Sequence, residues 1–113
     1  EDIPYLVAGE ERVNLRQALE KMGSQLNVTC VLSTSPGKLG GALLRAELVD
    51  EINVELFPAI IGGFETPSLF ESPELEPDEW PTQLELVSAH IQAGGRVWLR
   101  YQVASKRDQA KSA

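Results

Sequence analysis

Residues 28–57 restrict the possible folds more than any other part of the sequence. Val28-Thr29-Cys30-Val31-Leu32 is a short β-branched and apolar run, and Ser33-Thr34-Ser35-Pro36-Gly37 ends it with residues that break regular structure. Leu39, Leu43, Leu44 and Leu48 then recur at helical intervals, with Arg45 and Glu47 left for solvent, which predicts a short helix over 39–48. Asp50 and Glu51 lead into Ile52-Asn53-Val54-Glu55-Leu56-Phe57, which alternates until Pro58 and runs apolar to Gly62-Gly63, so 52–57 reads as a strand. Strand, helix and strand at this spacing form a βαβ unit, whose right-handed crossover makes the two strands parallel members of one sheet. The intervening turn lies at the carboxyl end of the first strand, where open α/β sheets place ligands. It also feeds a helix N-terminus, whose free N–H groups and dipole attract anions. Residues 33–41 are therefore the leading candidate site.

The flanking segments are simpler. Asn14 can cap a helix with Gln17 reaching back as in a capping box, and Leu15, Ala18, Leu19, Met22 and Leu26 follow at helical spacing, predicting a helix over 14–25. An acidic, Pro-rich loop over 65–81 carries Pro67, Pro73, Pro77 and Pro81 with six acids and no base. Residues 82–92 and 96–103 alternate again around Gln92-Ala93-Gly94-Gly95, which reads as a hairpin with Val97, Leu99, Tyr101 and Val103 on one face. The polar residues 105–113 read as a frayed tail behind a domain over 1–104.

Charge and composition exclude several classes. Seventeen acids against ten bases give a net charge of −7, the wrong sign for a nucleic-acid partner. No apolar run approaches the ~20 residues of a membrane span, and no signal peptide opens the chain, so a soluble protein of the reducing cytoplasm is expected. One cysteine and one histidine cannot form a Cys/His zinc cluster, and no metal site is expected.

The stretches VTCVLSTSPGKLGGALLRAELVDEINVELFPAIIGG at 28–63, TPSLFE at 66–71 and GGRVWLRYQV at 94–103 resemble one known family. It is the reductase domain of bacterial riboflavin biosynthesis, which shares the dihydrofolate reductase fold. The resemblance implies an α/β chain forming the C-terminal half of that fold, with the βαβ unit and the C-terminal antiparallel hairpin in a mixed sheet. It implies NADPH-dependent reduction of the ribosyl group of a phosphoribosylamino-pyrimidine to a ribityl chain. The family's Gly-rich turn holds cofactor phosphates, which carries that role to Thr34, Ser35, Gly37, Lys38 and Leu39. Two residues depart from the family pattern. Pro36 replaces one of two adjacent glycines, removing an N–H and fixing φ, and Thr34 stands where an acid is common. The resemblance also implies an N-terminal half that lies outside this sequence. That half would supply a strand between the two parallel strands and most substrate contacts, from a second chain or otherwise, and a homodimer is implied as well. Catalytic residues are not identifiable here. The alternatives are a non-catalytic binding or assembly module with a degenerate cofactor turn, or a reductase of another substrate such as a pterin.

Other residues carry a functional and a structural reading side by side. Lys38 can pair with a phosphate or be solvated, and it is the one base in the turn, where nothing recognisable selects NADPH over NADH. Thr34 and Ser35 can bind phosphate or cap the following helix. Gly62-Gly63 can line a cleft or end a strand, with the turn favoured. His90 lacks a partner acid in sequence, so a general-base role is unsupported. Cys30 reads as a small buried hydrophobe. Asp50 and Glu51 read as a helix-to-strand junction, and Glu71, Glu74, Glu76, Asp78 and Glu79 read as a solvated acidic run. Trp80 and Trp98 read as hairpin packing, with Trp98 tilted towards a dimer interface by the resemblance.

Overall fold

The computed structural model describes residues 7–104. The element order is α1 (Leu15–Leu26), α2 (Lys38–Arg45), β1 (Glu51–Leu56), β2 (Leu84–Gln92) and β3 (Arg96–Val103). The polar tail 105–113 lies outside the described residues. The chain divides into two compact units: one holds both helices together with residues 68–72, and the other holds the sheet.

In the helical unit, Asn14 caps α1 as expected, its side-chain oxygen accepting from the Gln17 amide at 3.0 Å. The reciprocal half of the capping box does not form. Gln17 instead accepts from the Gly9 amide at 3.2 Å, while the Asn14 amide donates to the Ala8 carbonyl. Asn27, at φ 56°, ends the helix in the left-handed region that asparagine tolerates. Helix α2 stops earlier than Leu48 because Glu47 adopts φ 60°. The Glu47 amide then donates to the Leu44 carbonyl and the Leu48 amide to the Leu43 carbonyl, which is a Schellman closure on a non-glycine residue. Arg16 reaches across to donate to the Ala46 carbonyl at 2.8 Å.

The sheet unit has the order β1-β3-β2, and both pairings are antiparallel. Leu99 of the central β3 pairs with Val54 and Ala89, and Tyr101 pairs with Ile52 and Leu86, so one face is apolar. A bulge at Val87 shifts the register between Leu86 and Ser88, and this keeps Leu86 and Ala89 on that same face although they are three residues apart. Ile52, at 8% exposure, is the one buried hydrophobic side chain among the described residues. Leu84, Leu86 and Ile91 on the apolar face remain exposed, Ile91 at 89%. The opposite face is polar and interlocked. Arg100 pairs with Glu51, the Trp98 indole donates to Asn53 Oδ1 at 2.9 Å, and the His90 ring sits 5.6 Å from the Trp98 ring. Gly94 and Gly95, at φ 82° and 80°, close the expected hairpin.

The expected strand over 28–32 is a correction. These residues carry no ladder bonds, and the one parallel pairing among the described residues is an isolated bridge between Gly37 and Phe70. A parallel strand needs a neighbour to accept its amides, and none of the described strands pairs with this segment. Cys30 is exposed rather than buried for the same reason, as are Val31 and Leu32.

Candidate functional site

The turn before α2 is built by backbone pairing rather than by side-chain caps. Gly37 is the N-cap at φ 75°, a conformation that favours glycine, and no side chain caps the helix. Thr34 and Ser35 therefore do not cap α2, and both lie exposed in the preceding loop. Gly37 itself is buried against residues 69–71. Its amide donates to the Leu69 carbonyl at 2.8 Å, and its carbonyl accepts from the Glu71 amide at 3.0 Å. Gly41, one turn on, lies so close to this segment that a Cβ there would fall 1.8 Å from the Glu71 carbonyl oxygen. Gly40 faces the Phe70 ring, where a Cβ would meet Cδ1 at 3.3 Å. At the other end of α2, Arg45 donates to the Ser72 hydroxyl at 3.3 Å. Two glycines and one bridge thus clasp α2 to residues 69–71.

This clasp decides what the turn offers to a ligand. The amides of Lys38, Leu39 and Gly40 belong to the first helical turn, have no intrahelical acceptor, and stand at the positive end of the helix dipole. Lys38 and Leu39 are exposed, and the Lys38 ammonium is the one cation of the turn. Pro36 has no amide to give, and the Gly37 amide is already committed to Leu69. Thr34 and Ser35 lie exposed in the loop before this helix end, Gly37 is its N-cap, and Lys38 and Leu39 open the helix.

One side chain at the turn escapes sequence reasoning. Glu71 looks like a member of the acidic run 71–79, but the Gly37–Phe70 bridge places its carboxylate beside the turn. A Cβ on Gly37 would lie 3.4 Å from Glu71 Oε2. The only sequence hint was its position at the end of TPSLFE, a stretch whose pairing with the turn cannot be read from spacing.

The remaining candidates fall elsewhere. In the sheet unit, Gly62 and Gly63 form a local turn at φ 65° and 98°, with the Thr66 hydroxyl donating to the Gly62 carbonyl at 2.6 Å. The His90 ring lies tilted against Trp98 and faces no carboxylate in a described contact. Trp80 is exposed. Asp50 and Glu51 do stand at a strand start, where Glu51 pairs with Arg100 and the Asp50 carbonyl accepts from the Val103 amide. The guanidinium of Arg100 and the Asn53 amide hold the Glu51 carboxyl below its ordinary value of 4.5.

Comparison with known proteins places this architecture. The family model of the RibD C-terminal domain matches residues 1–99, so the chain belongs to that family, a family of riboflavin-biosynthesis reductases. Two solved forms of Acinetobacter baumannii RibD share the fold, with TM-scores of 0.70 and 0.68 at 22% and 21% identity. A pyrimidine reductase-like protein from Corynebacterium diphtheriae does so with a TM-score of 0.69 at 21% identity. The matches cover 85%, 84% and 85% of this chain, but only 26%, 26% and 37% of the solved chains. The chain thus spans about a quarter to a third of these neighbours. Comparison with curated proteins finds no match. The expected fold class, the C-terminal part of a dihydrofolate reductase-like α/β fold, holds at the level of its helices and antiparallel hairpin.

The donor set at the turn fits a phosphate group. The amides of the exposed first-turn residues Lys38 and Leu39, the Lys38 ammonium and the hydroxyls of the exposed Thr34 and Ser35 can donate to phosphate oxygens. Among the described residues, no helix is long and apolar enough to cross a membrane.

Proposed function

We propose that this chain is the cofactor-binding part of an NADPH-dependent reductase of riboflavin biosynthesis, acting on the ribosyl group of a phosphoribosylamino-pyrimidine to give a ribityl chain. The observation that carries the reading is the exposed N-terminus of α2, held in place by the Gly37 clasp and flanked by Lys38. Family membership makes a dinucleotide the natural occupant of such a turn. The amides of Lys38 and Leu39 bind the phosphates of the dinucleotide, the Lys38 ammonium offsets their charge, and Thr34 and Ser35 donate from the loop. Gly37 takes the positive φ of 75° from which the helix starts. When bound, the dinucleotide supplies the hydride. The turn binds and orients, while the groups that meet the pyrimidine belong to the part of the family fold outside this chain. In the same reading that part pairs with 28–32 and covers the apolar sheet face, and the assembled protein is a cytoplasmic homodimer.

A second reading, a non-catalytic module with a degenerate turn, is favoured by one observation: Pro36 and Gly37 together withdraw two amides from the phosphate side. Calorimetric titration of NADPH and NADH into the full chain, at a known oligomeric state, separates the two. Saturable binding with preference for NADPH supports the reductase. Pro36→Gly restores one donor and is expected to tighten NADPH binding about fivefold, the worth of one hydrogen bond. Absence of binding in both proteins leaves two explanations, a degenerate turn or a cofactor site completed by the part of the family fold outside this chain, and makes the completing part the next thing to find.

A further inference from the structure

We propose that the open edge of β2 joins two copies of this chain strand to strand, antiparallel and centred on the bulge at Val87. The proposal gives a place to the homodimer of the reading above, rests on that part of it alone, and is independent of the cofactor turn. β2 pairs with β3 on one side, and no described strand lies on the other. An edge of this kind presents unpaired N–H and C=O groups to a further strand, and proteins blunt it with lysine, proline or inward-facing charge. Leu84–Gln92 carries no Lys, Arg or Pro, and its one acid, Glu85, stands opposite Gln102 on the polar face. Leu84, Leu86, Val87 and Ile91 are exposed along it.

The bulge selects the partner. A regular strand laid along β2 meets one residue too many at Val87, so its two faces fall out of step beyond that point. A second copy carries the same extra residue, and the two insertions cancel when they face each other. The faces agree as well. Before the bulge Leu84, Glu85 and Leu86 lie on the apolar, polar and apolar faces, and after it Ala89, His90 and Ile91 repeat that order. A two-fold axis between Val87 and Ser88 therefore sets Leu84 opposite Ile91 of the second copy and Leu86 opposite its Ala89, apolar against apolar. Glu85, which no described ion pair engages, falls opposite His90 of the second copy, a carboxylate acceptor against an imidazole N–H. Displacing the pairing by one residue in either direction sets Glu85 against Ile91 or Ala89 and mixes the two faces.

The test is sedimentation velocity on the full chain over a range of concentrations, with far-UV circular dichroism to establish that each variant folds. The unsubstituted chain is expected to form a discrete dimer. Leu86→Lys puts a blocking charge on the edge and is expected to leave the chain monomeric. Glu85→Lys and His90→Glu are each expected to weaken the dimer about tenfold, because the pair recurs on both sides of the two-fold axis. The double variant Glu85→Lys/His90→Glu exchanges the charges and is expected to restore association. Residues 85 and 90 stand roughly 15 Å apart along one strand, so such a rescue arises only between copies. Ile60→Lys, at an exposed apolar position outside the strands, is expected to change nothing. A monomer at every concentration overturns the proposal and leaves the edge to the part of the family fold outside this chain. A dimer that persists in Leu86→Lys overturns it while keeping a homodimer through another surface, and weakening without rescue in the double variant overturns the register on which it rests. Association that continues past the dimer overturns it as well, because a two-fold pairing closes on itself. Failure of the NADPH titration overturns none of this, since the turn takes no part in the pairing.

Discussion

The helical unit and the sheet unit are held together by different means. In the first, backbone meets backbone: Gly37 exchanges hydrogen bonds with Leu69 and Glu71, and Gly41 admits the Glu71 carbonyl where any side chain would exclude it. In the second, side chains meet across a ladder, with Ile52, Val54, Leu99 and Tyr101 on one face and Glu51, Asn53, Trp98 and Arg100 on the other. A clasp of the first kind depends on two particular glycines and tolerates no substitute, while a ladder depends on an alternating pattern in which apolar residues can be exchanged. The candidate site sits on the clasp. Its precision comes from close backbone approach, and its donors are the amides that this approach leaves free.

The sharpest way to break the contrast is a single added methyl. Gly41→Ala would place Cβ 1.8 Å from the Glu71 oxygen and 2.4 Å from its carbon, both backbone atoms that cannot swing away. The bridge at Gly37 must open, and the expected cost is about 3 kcal/mol, at the upper end for overpacking. Denaturant unfolding measures the loss, and hydrogen exchange at the Gly37 and Glu71 amides locates it; unchanged protection there would show that the clasp is not what holds α2. The matching change in the sheet unit is Ile52→Ala, which empties its one buried hydrophobic position. Its expected cost is about 2 kcal/mol, at the low end for such truncations because few neighbours enclose the site. A loss larger than that of Gly41→Ala would reverse the ranking of the two units.

The same contrast explains what was legible in the sequence. Helix α1 announced itself through Asn14 and a regular apolar stripe, and β1 and the hairpin through alternation ended by Pro58 and Gly94-Gly95, because each of these signals is local. Helix α2 ends three residues before the Leu48 that its spacing predicts, since nothing in Glu47 marks it for the left-handed conformation that closes the helix. The strand at 28–32 had the right composition but no partner among the described strands, and composition does not report partners. At the candidate site, the turn at Pro36-Gly37 and the helix behind it were readable from local signals. Glu71 was not, because a bridge between residues 37 and 70 is a long-range pairing with no local mark.

The smallest expected effect is confined to the polar face of the sheet, and its sign follows from Glu51. The hydrogen bond from Arg100 is the main cause that lowers the carboxyl below 4.5, with a second from Asn53, and partial desolvation opposes them. A carboxyl lowered by folding binds its proton more readily in the unfolded chain. It therefore adds stability above about pH 4.5, and this is lost as the pH falls through the depressed folded value. Both partners are substantially exposed, so solvent and salt screen the pair and the contribution is modest. The measurement is the difference in thermal midpoint between the unsubstituted chain and Glu51→Gln, taken from neutral pH down to about pH 3. That difference is expected to be present at neutral pH, to shrink on acidification below about pH 4.5, and to diminish with added salt. A difference independent of pH would mean that Glu51 acts through shape and hydrogen bonding alone, and that the charge between β1 and β3 contributes nothing to the ladder.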